Sequence, residues 1–176
     1  SKGGGNRNRN RNHNQRKNKN DTLGIRLNAL AVSRANAPEY DDDCLTLYVD
    51  SGATCSVILN KAHFDTDSYS KVHQPYLVTV GGSNTLKVIG TGVVSGYMRR
   101  DNGKLCKLKL PACHIPNMGF NLLSVSAMNQ SGFKVEFGEQ PAIELDSVRI
   151  NIDQGNGMFW LPFYLRKPQT QFALPA

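Results

Sequence analysis

From residue 44 onward, apolar positions recur every second residue. Leu45, Leu47 and Val49 alternate with Thr46, Tyr48 and Asp50. Successive side chains of a strand point to opposite faces, so this spacing predicts a strand with one face inward. Val57-Ile58-Leu59 is a short apolar run. Tyr76, Val78 and Val80 alternate, Gly81-Gly82-Ser83-Asn84 interrupts, and Leu86-Lys87-Val88-Ile89 follows. Two β-prone runs around a Gly-rich turn predict a hairpin. Gly90 and Gly92 bracket a further strand through Val93-Val94. Cys106, Leu108 and Leu110 alternate with lysines, as do Phe133, Val135 and Phe137 with Lys134 and Glu136. Ile143–Leu145 and Val148–Ile152 complete the set. Helical spacing occurs once, over residues 122–130, where Leu122, Val125 and Met128 would share a face and Gly132 would end the helix. Short strands with frequent turn signals predict an all-β barrel or sandwich.

The first forty residues follow a different rule. They hold nine Lys and Arg against two Asp and Glu, a net +7. Residues 41–176 hold twelve of each, so the whole charge of the chain lies in this leader. Residues 1–20 contain seven Asn, seven Lys and Arg, no aliphatic side chain and no Phe, Tyr or Trp. Such a segment buries too little apolar area to offset backbone ordering and is expected to be disordered. It reads either as a solubilising linker or as a weak, non-specific RNA-binding tail acting through phosphate charge. With no aromatic residue among the charges, base stacking is not supported. The expected organisation is a disordered basic leader over 1–40, one folded domain over 41–165, and a loose C-terminal tail over 166–176.

A chain of 176 residues leaves little room for a second substantial core. No run of about 18 apolar residues is present, so no membrane-spanning helix and no membrane association are expected. The polar N-terminal stretch does not resemble a secretory signal. Cys44, Cys55, Cys106 and Cys113 form no Cys-x-x-Cys pair and are read as reduced thiols. Cys55 is read as a small buried hydrophobe in preference to an oxidation-sensitive thiol near Asp50. His63, His73 and His114 show no metal-site spacing, and no metal or other cofactor is expected.

The most pointed local feature is Leu47-Tyr48-Val49-Asp50-Ser51-Gly52-Ala53-Thr54. A β-prone run delivers a carboxylate into a tight turn, where Gly52 permits close backbone approach and Ser51 can fix the turn. An ordinary β-turn uses the same residues, so the triplet alone is weak evidence. Its surroundings add to it. Asp50-Ser51-Gly52-Ala53-Thr54-Cys55-Ser56-Val57-Ile58 resembles the active-site loop of retroviral-type aspartic proteases. Ile115-Pro116 through Asn121-Leu122-Leu123-Ser124 resembles a segment of copia-class retrotransposon polyproteins, and so does Gly157-Met158-Phe159-Trp160-Leu161. The resemblance covers about residues 45–162.

The resemblance implies a retropepsin-like closed β-barrel with one short helix, active as a symmetric homodimer. It implies an aspartic endopeptidase that processes its own Gag-Pol polyprotein in the cytoplasm, within virus-like particles. Asp67-Ser68-Tyr69 and Asp146-Ser147-Val148 lack the glycine, so the chain holds a single Asp-Ser-Gly loop. A dyad therefore needs Asp50 from each of two chains. Ser51 would bond across the dimer, while Gly52, Ala53 and Thr54 complete the loop. Val80, Gly81, Gly82, Ser83 and Asn84 would form the tip of a substrate-binding flap. Asn121, Leu122, Leu123 and Ser124 stand where retroviral relatives have two apolar residues and a glycine, with Ser124 in place of that glycine. A reading from another class is a non-enzymatic dimeric β-domain with a basic nucleic-acid-binding leader.

Overall fold

The computed structural model describes residues 26–27, 43–80 and 84–168. Among them are β1 (Arg26–Leu27), β2 (Cys44–Asp50), β3 (Ser56–Ile58), β4 (Ser70–Val80), β5 (Asn84–Arg99) and β6 (Leu105–His114). There follow β7 (Asn121–Ser124), α1 (Val125–Gln130), β8 (Lys134–Glu136), β9 (Ala142–Leu145), β10 (Val148–Asn151), β11 (Asp153–Gly155) and β12 (Met158–Tyr164). The fold is mainly β with one short helix, as the alternating pattern predicts.

β2 is the strand that positions everything else. Its inward residues Leu45, Leu47 and Val49 are buried, and its other four are half-buried. It pairs in parallel with β7 on one side and antiparallel with β12 on the other. Beyond β7 the sheet continues through β3, β6, β5 and β4, and β11 extends it beyond β12. One further pair, Tyr97 with Tyr164, joins β5 to β12. The wall from β5 round to β12 therefore curls back towards itself and has a barrel-like form. β8, β9 and β10 make a separate three-stranded sheet.

Two apolar clusters fill the interior. One is built around Leu47, Ile58, Leu123, Ile143, Leu161 and Phe163. The other joins Ala53 and Val57 to Val78, Val80, Val88 and Cys113, so the loop after Asp50 shares a core with the β4–β5 hairpin.

Several details differ from the sequence reading. Gly90 and Gly92 do not bracket a new strand, because β5 runs through both without a break. The glycines are there for packing. A β-carbon on Gly90 would lie 2.5 Å from Cζ of Tyr69, and one on Gly92 3.0 Å from the Phe64 ring. This space lets Tyr69 reach His114, whose Nδ1 accepts from the Tyr69 hydroxyl at 2.8 Å. Nε2 of His114 then donates to the Leu59 carbonyl at 3.2 Å, and burial lowers the imidazole pKa in favour of this neutral form.

The helix begins three residues later than its apolar spacing suggests. Leu122 belongs to β7 and faces the hairpin cluster, whereas Val125 and Met128 face the other core. Ser124 ends the strand and caps the helix, which periodicity does not reveal. Gly132 does follow the helix, with φ +87°. Phe137 lies beyond β8, is 41% exposed, and meets Phe159 edge-on at 4.7 Å rather than entering the core.

Within the leader expected to be disordered, Arg26–Leu27 forms β1, parallel to Thr79–Val80 of β4. The edge of β4 offers unpaired backbone groups there, and a passing segment can satisfy them whatever its side chains. The remaining leader residues up to 42, and the tail from 169, lie outside the described residues.

Candidate active site

Asp50 is the last residue of β2, directly opposite Ser124 of β7. The chain must turn there, and the turn is held by Asp50 itself. Its Oδ1 accepts from the Gly52 backbone N–H at 2.7 Å. Burial raises the Asp50 carboxyl above its ordinary value, while the N–H groups of Gly52 and Ala53 act the other way. A carboxyl whose pKa is raised in this way holds a proton more readily near neutrality, as a general acid requires.

The loop is anchored from below. Ala53 is buried, and its carbonyl accepts from Ser124 Oγ at 2.6 Å. Ser124 Oγ itself accepts from the Ala127 N–H at 3.0 Å and so caps α1. The Ser124 N–H in turn donates to Ser56 Oγ at 3.0 Å. Ser124 and Ser56 are both fully buried, so these bonds are shielded from water. A glycine at position 124 would provide neither side-chain bond, so the serine does a task that a bare backbone approach cannot. Asn121 contributes at the other end of β7, where its Oδ1 accepts from the Leu59 N–H at 3.0 Å. Leu122 and Leu123 are buried on opposite sides of that strand.

Ser124→Ala is expected to cost about 2–4 kcal/mol. One cap is lost at about 1 kcal/mol, and a buried carbonyl is orphaned at about 1–3. Denaturant unfolding checks this, and a loss below about 0.5 kcal/mol would contradict the anchor.

Ser51 is exposed at the surface of the loop, Gly52 is half-buried, and Thr54 is exposed. Beside Asp50 opens an apolar hollow of about 190 Å³, walled by Tyr48, Phe120, Leu122, Phe137, Met158 and Phe159. Tyr48 and Phe120 meet edge-on at 5.5 Å. Only part of this wall is visible as a site in the sequence. Gly157-Met158-Phe159 is conspicuous as a motif and Phe120 lies within the stretch from Ile115 to Ser124, but nothing in the sequence brings these together with Tyr48 and Phe137.

The hairpin predicted around residues 76–89 is present, with Tyr76 opposite Val88 and Val80 opposite Asn84. Val80 is buried in the cluster that holds Ala53, and Asn84 is exposed. Gly81, Gly82 and Ser83 lie outside the described residues. The register shifts between Lys71 and Tyr76, where Pro75 has no N–H to donate to the ladder. Among the described residues no cluster of three or more His, Cys, Asp or Glu side chains is placed to hold a metal ion.

Residues 47–133 match a family model described as Pol polyprotein, beta-barrel domain. The match spans the Asp50 loop, the hairpin, β7 and α1, and supports a Pol-derived domain of retrotransposon or retroviral origin. Comparisons with curated proteins and with solved structures gave no match.

Proposed function

We propose that this Pol-related domain is an aspartic endopeptidase of copia-class origin, which cleaves its own Gag-Pol polyprotein as a homodimer within virus-like particles. The observation that carries the reading is the state of Asp50. It is half-buried at the end of a central strand, braced by Gly52, raised in pKa, and open to an apolar hollow.

A second Asp50 is needed for the chemistry. Two carboxylates about 3 Å apart cannot both ionise easily, so they share a proton. The ionised partner takes a proton from water, and the protonated partner donates to the scissile carbonyl oxygen. Water attacks the carbonyl carbon, and the dyad returns a proton to the leaving amine. Burial already raises Asp50 in one chain, and the approach of its mate would raise one of the pair further. Exposed Ser51 is free to reach across the two-fold axis. The hollow beside Asp50 suits an apolar side chain of the peptide. The hairpin packs on the same core as the Asp50 loop, which fits a flap over the cleft.

Interleaved terminal strands are a poor seam for this dimer. β12 is paired with β2 along one edge and with β11 and β5 along the other. The surface around Ser51 is the better candidate.

The test is cleavage of a Gag-Pol-derived polypeptide across protein concentration. Specific activity should rise with concentration in the range where the monomer predominates. Absence of cleavage by a folded dimer would overturn the reading. Activity per chain that stays constant down to a verified monomer would overturn the shared dyad.

A further inference from the structure

Cys55 follows the Asp50 loop, and Cys113 lies on β6 opposite Val57. Cys55 packs against the same buried cluster that holds Cys113, and each thiol is the main influence on the other's protonation. Tyr76, on the hairpin strand β4, brings its hydroxyl 3.9 Å from Cys113 Sγ. Three separate segments thus converge on one sulfur: the loop after the proposed catalytic carboxylate, β6, and the hairpin. Cys113 is 6% exposed and Cys55 is half-buried, which leaves Cys55 on the solvent side of the pair.

We propose that Cys55 and Cys113 form a peroxide-reactive dithiol that closes to a disulfide beside the Asp50 loop. A disulfide needs its two Cα atoms within about 7 Å of each other, and the strand that begins at Ser56, next to Cys55, runs beside the strand that holds Cys113, with Ser56 opposite Ala112 and Val57 opposite Cys113. The protonation states of the two thiols are already divided. The Cys55 thiol and the Tyr76 hydroxyl stabilise the Cys113 thiolate against the effect of burial and bring its pKa down to about 7. Cys55, under the influence of Cys113 and partly buried, is pushed up and keeps its proton. Cys113 is therefore the nucleophile and Cys55 the resolving thiol.

The Cys113 thiolate attacks one oxygen of hydrogen peroxide. The O–O bond breaks, and the departing hydroxide takes a proton to become water. Cys113 is left as a sulfenic acid. The Cys55 thiol then gives up its proton and attacks that sulfur. The S–S bond forms, the S–O bond breaks, and a second water leaves. Two thiols lose two electrons in total, and one peroxide becomes two waters. The product ties the loop after Asp50 to β6 and takes the Cys113 thiolate away from Tyr76.

The full chain is exposed to hydrogen peroxide at neutral pH, alkylated, digested and read by mass spectrometry. The expected result is loss of two hydrogens and a linked peptide pair containing Cys55 and Cys113, reversed by dithiothreitol. Cys44 and Cys106 should remain open to alkylation after unfolding. The rate of linkage should rise across about pH 6–8 with the Cys113 thiolate, and Tyr76→Phe should slow it several-fold at pH 7. Cys55→Ser and Cys113→Ser should each abolish the intramolecular link. If both thiols of the folded wild type are still alkylated, or if the links scatter equally over all four cysteines, the proposal fails. The readout is a mass, not cleavage, so its failure is distinct from failure of the protease reading.

Discussion

Asp50→Asn is expected to leave a folded, dimeric protein with no measurable endopeptidase activity. Both copies of the site change at once, so the dyad loses its general base and its shared proton together. Each function contributes roughly 10²–10⁴-fold, and a loss of roughly 10⁴-fold or more follows. The fold should survive because Asn retains an Oδ1 that can accept from the Gly52 N–H, now held at 2.7 Å.

The sign of the stability change can also be worked out. The Asp50 carboxyl is raised in the folded chain, chiefly by burial. Between its ordinary value and its folded value the native state therefore holds more protons than the unfolded one. The stability associated with that proton is present in acid and is lost as pH rises through the folded value. Asn carries no charge to bury, so the variant should be at least as stable as the wild type at pH 7. Wild-type stability relative to the variant should improve as pH falls towards the ordinary carboxylate range. Activity should follow an acid-to-neutral profile governed by the pair, not by either carboxyl alone. Wild-type cleavage that rises monotonically to pH 9, or an Asn variant that still cleaves at a tenth of the wild-type rate, would contradict the dyad. Loss of the fold in Asp50→Asn would contradict the view that burial of this charge is a cost.

Gly96→Ala is expected to be the most damaging single methyl group in the barrel wall. A β-carbon there would lie 2.6 Å from Cζ of Phe163 and 2.7 Å from the carbonyl oxygen of Tyr164. Phe163 is fully buried in the larger core, with only a hollow of about 70 Å³ beside it. The carbonyl belongs to β12, at the point where Tyr164 pairs with Tyr97 of β5. Backbone at a strand junction cannot move away without breaking the pair. Overpacking costs about 1–3 kcal/mol where side chains can adjust. Here about 3 kcal/mol or more is expected, a fall in Tm on the order of 10 °C. Thermal unfolding followed by circular dichroism measures it. A fall of less than about 2 °C would show that β5 and β12 can separate cheaply and that the Tyr97–Tyr164 pair contributes little. A Gly96→Ala, Phe163→Leu double-mutant cycle should show coupling, because the smaller side chain relieves part of the clash.

The reach of the sequence differs between features for physical reasons. The inward set of β2 was readable because strand geometry repeats every two residues, whichever strands lie alongside. The hairpin was readable because its apolar runs and its turn are neighbours in the chain. The Asp50 turn was equally local: the acid and the glycine N–H that hold it lie two residues apart. The helix start was not, since strand and helix compete for Leu122–Ser124 and the choice depends on β2 and β3, more than sixty residues upstream. Gly90 and Gly92 looked like strand boundaries because a glycine in sequence carries no label for the ring that occupies its space.

By itself, the sequence determined a mainly β domain, a concentration of positive charge before residue 41, and one Asp-Ser-Gly-Ala loop at the end of an apolar strand. Those follow from charge, periodicity and contacts between near neighbours. Tertiary structure alone decided that Ser124 anchors Ala53, that Phe137 and Phe159 wall the hollow beside Asp50, and that Cys55 meets Cys113. Each of these joins residues about twenty to seventy positions apart. Such pairs are selected by the register of β2 on β7 and β3 on β6. Register is a cooperative property of the packed sheet, and no single segment encodes it.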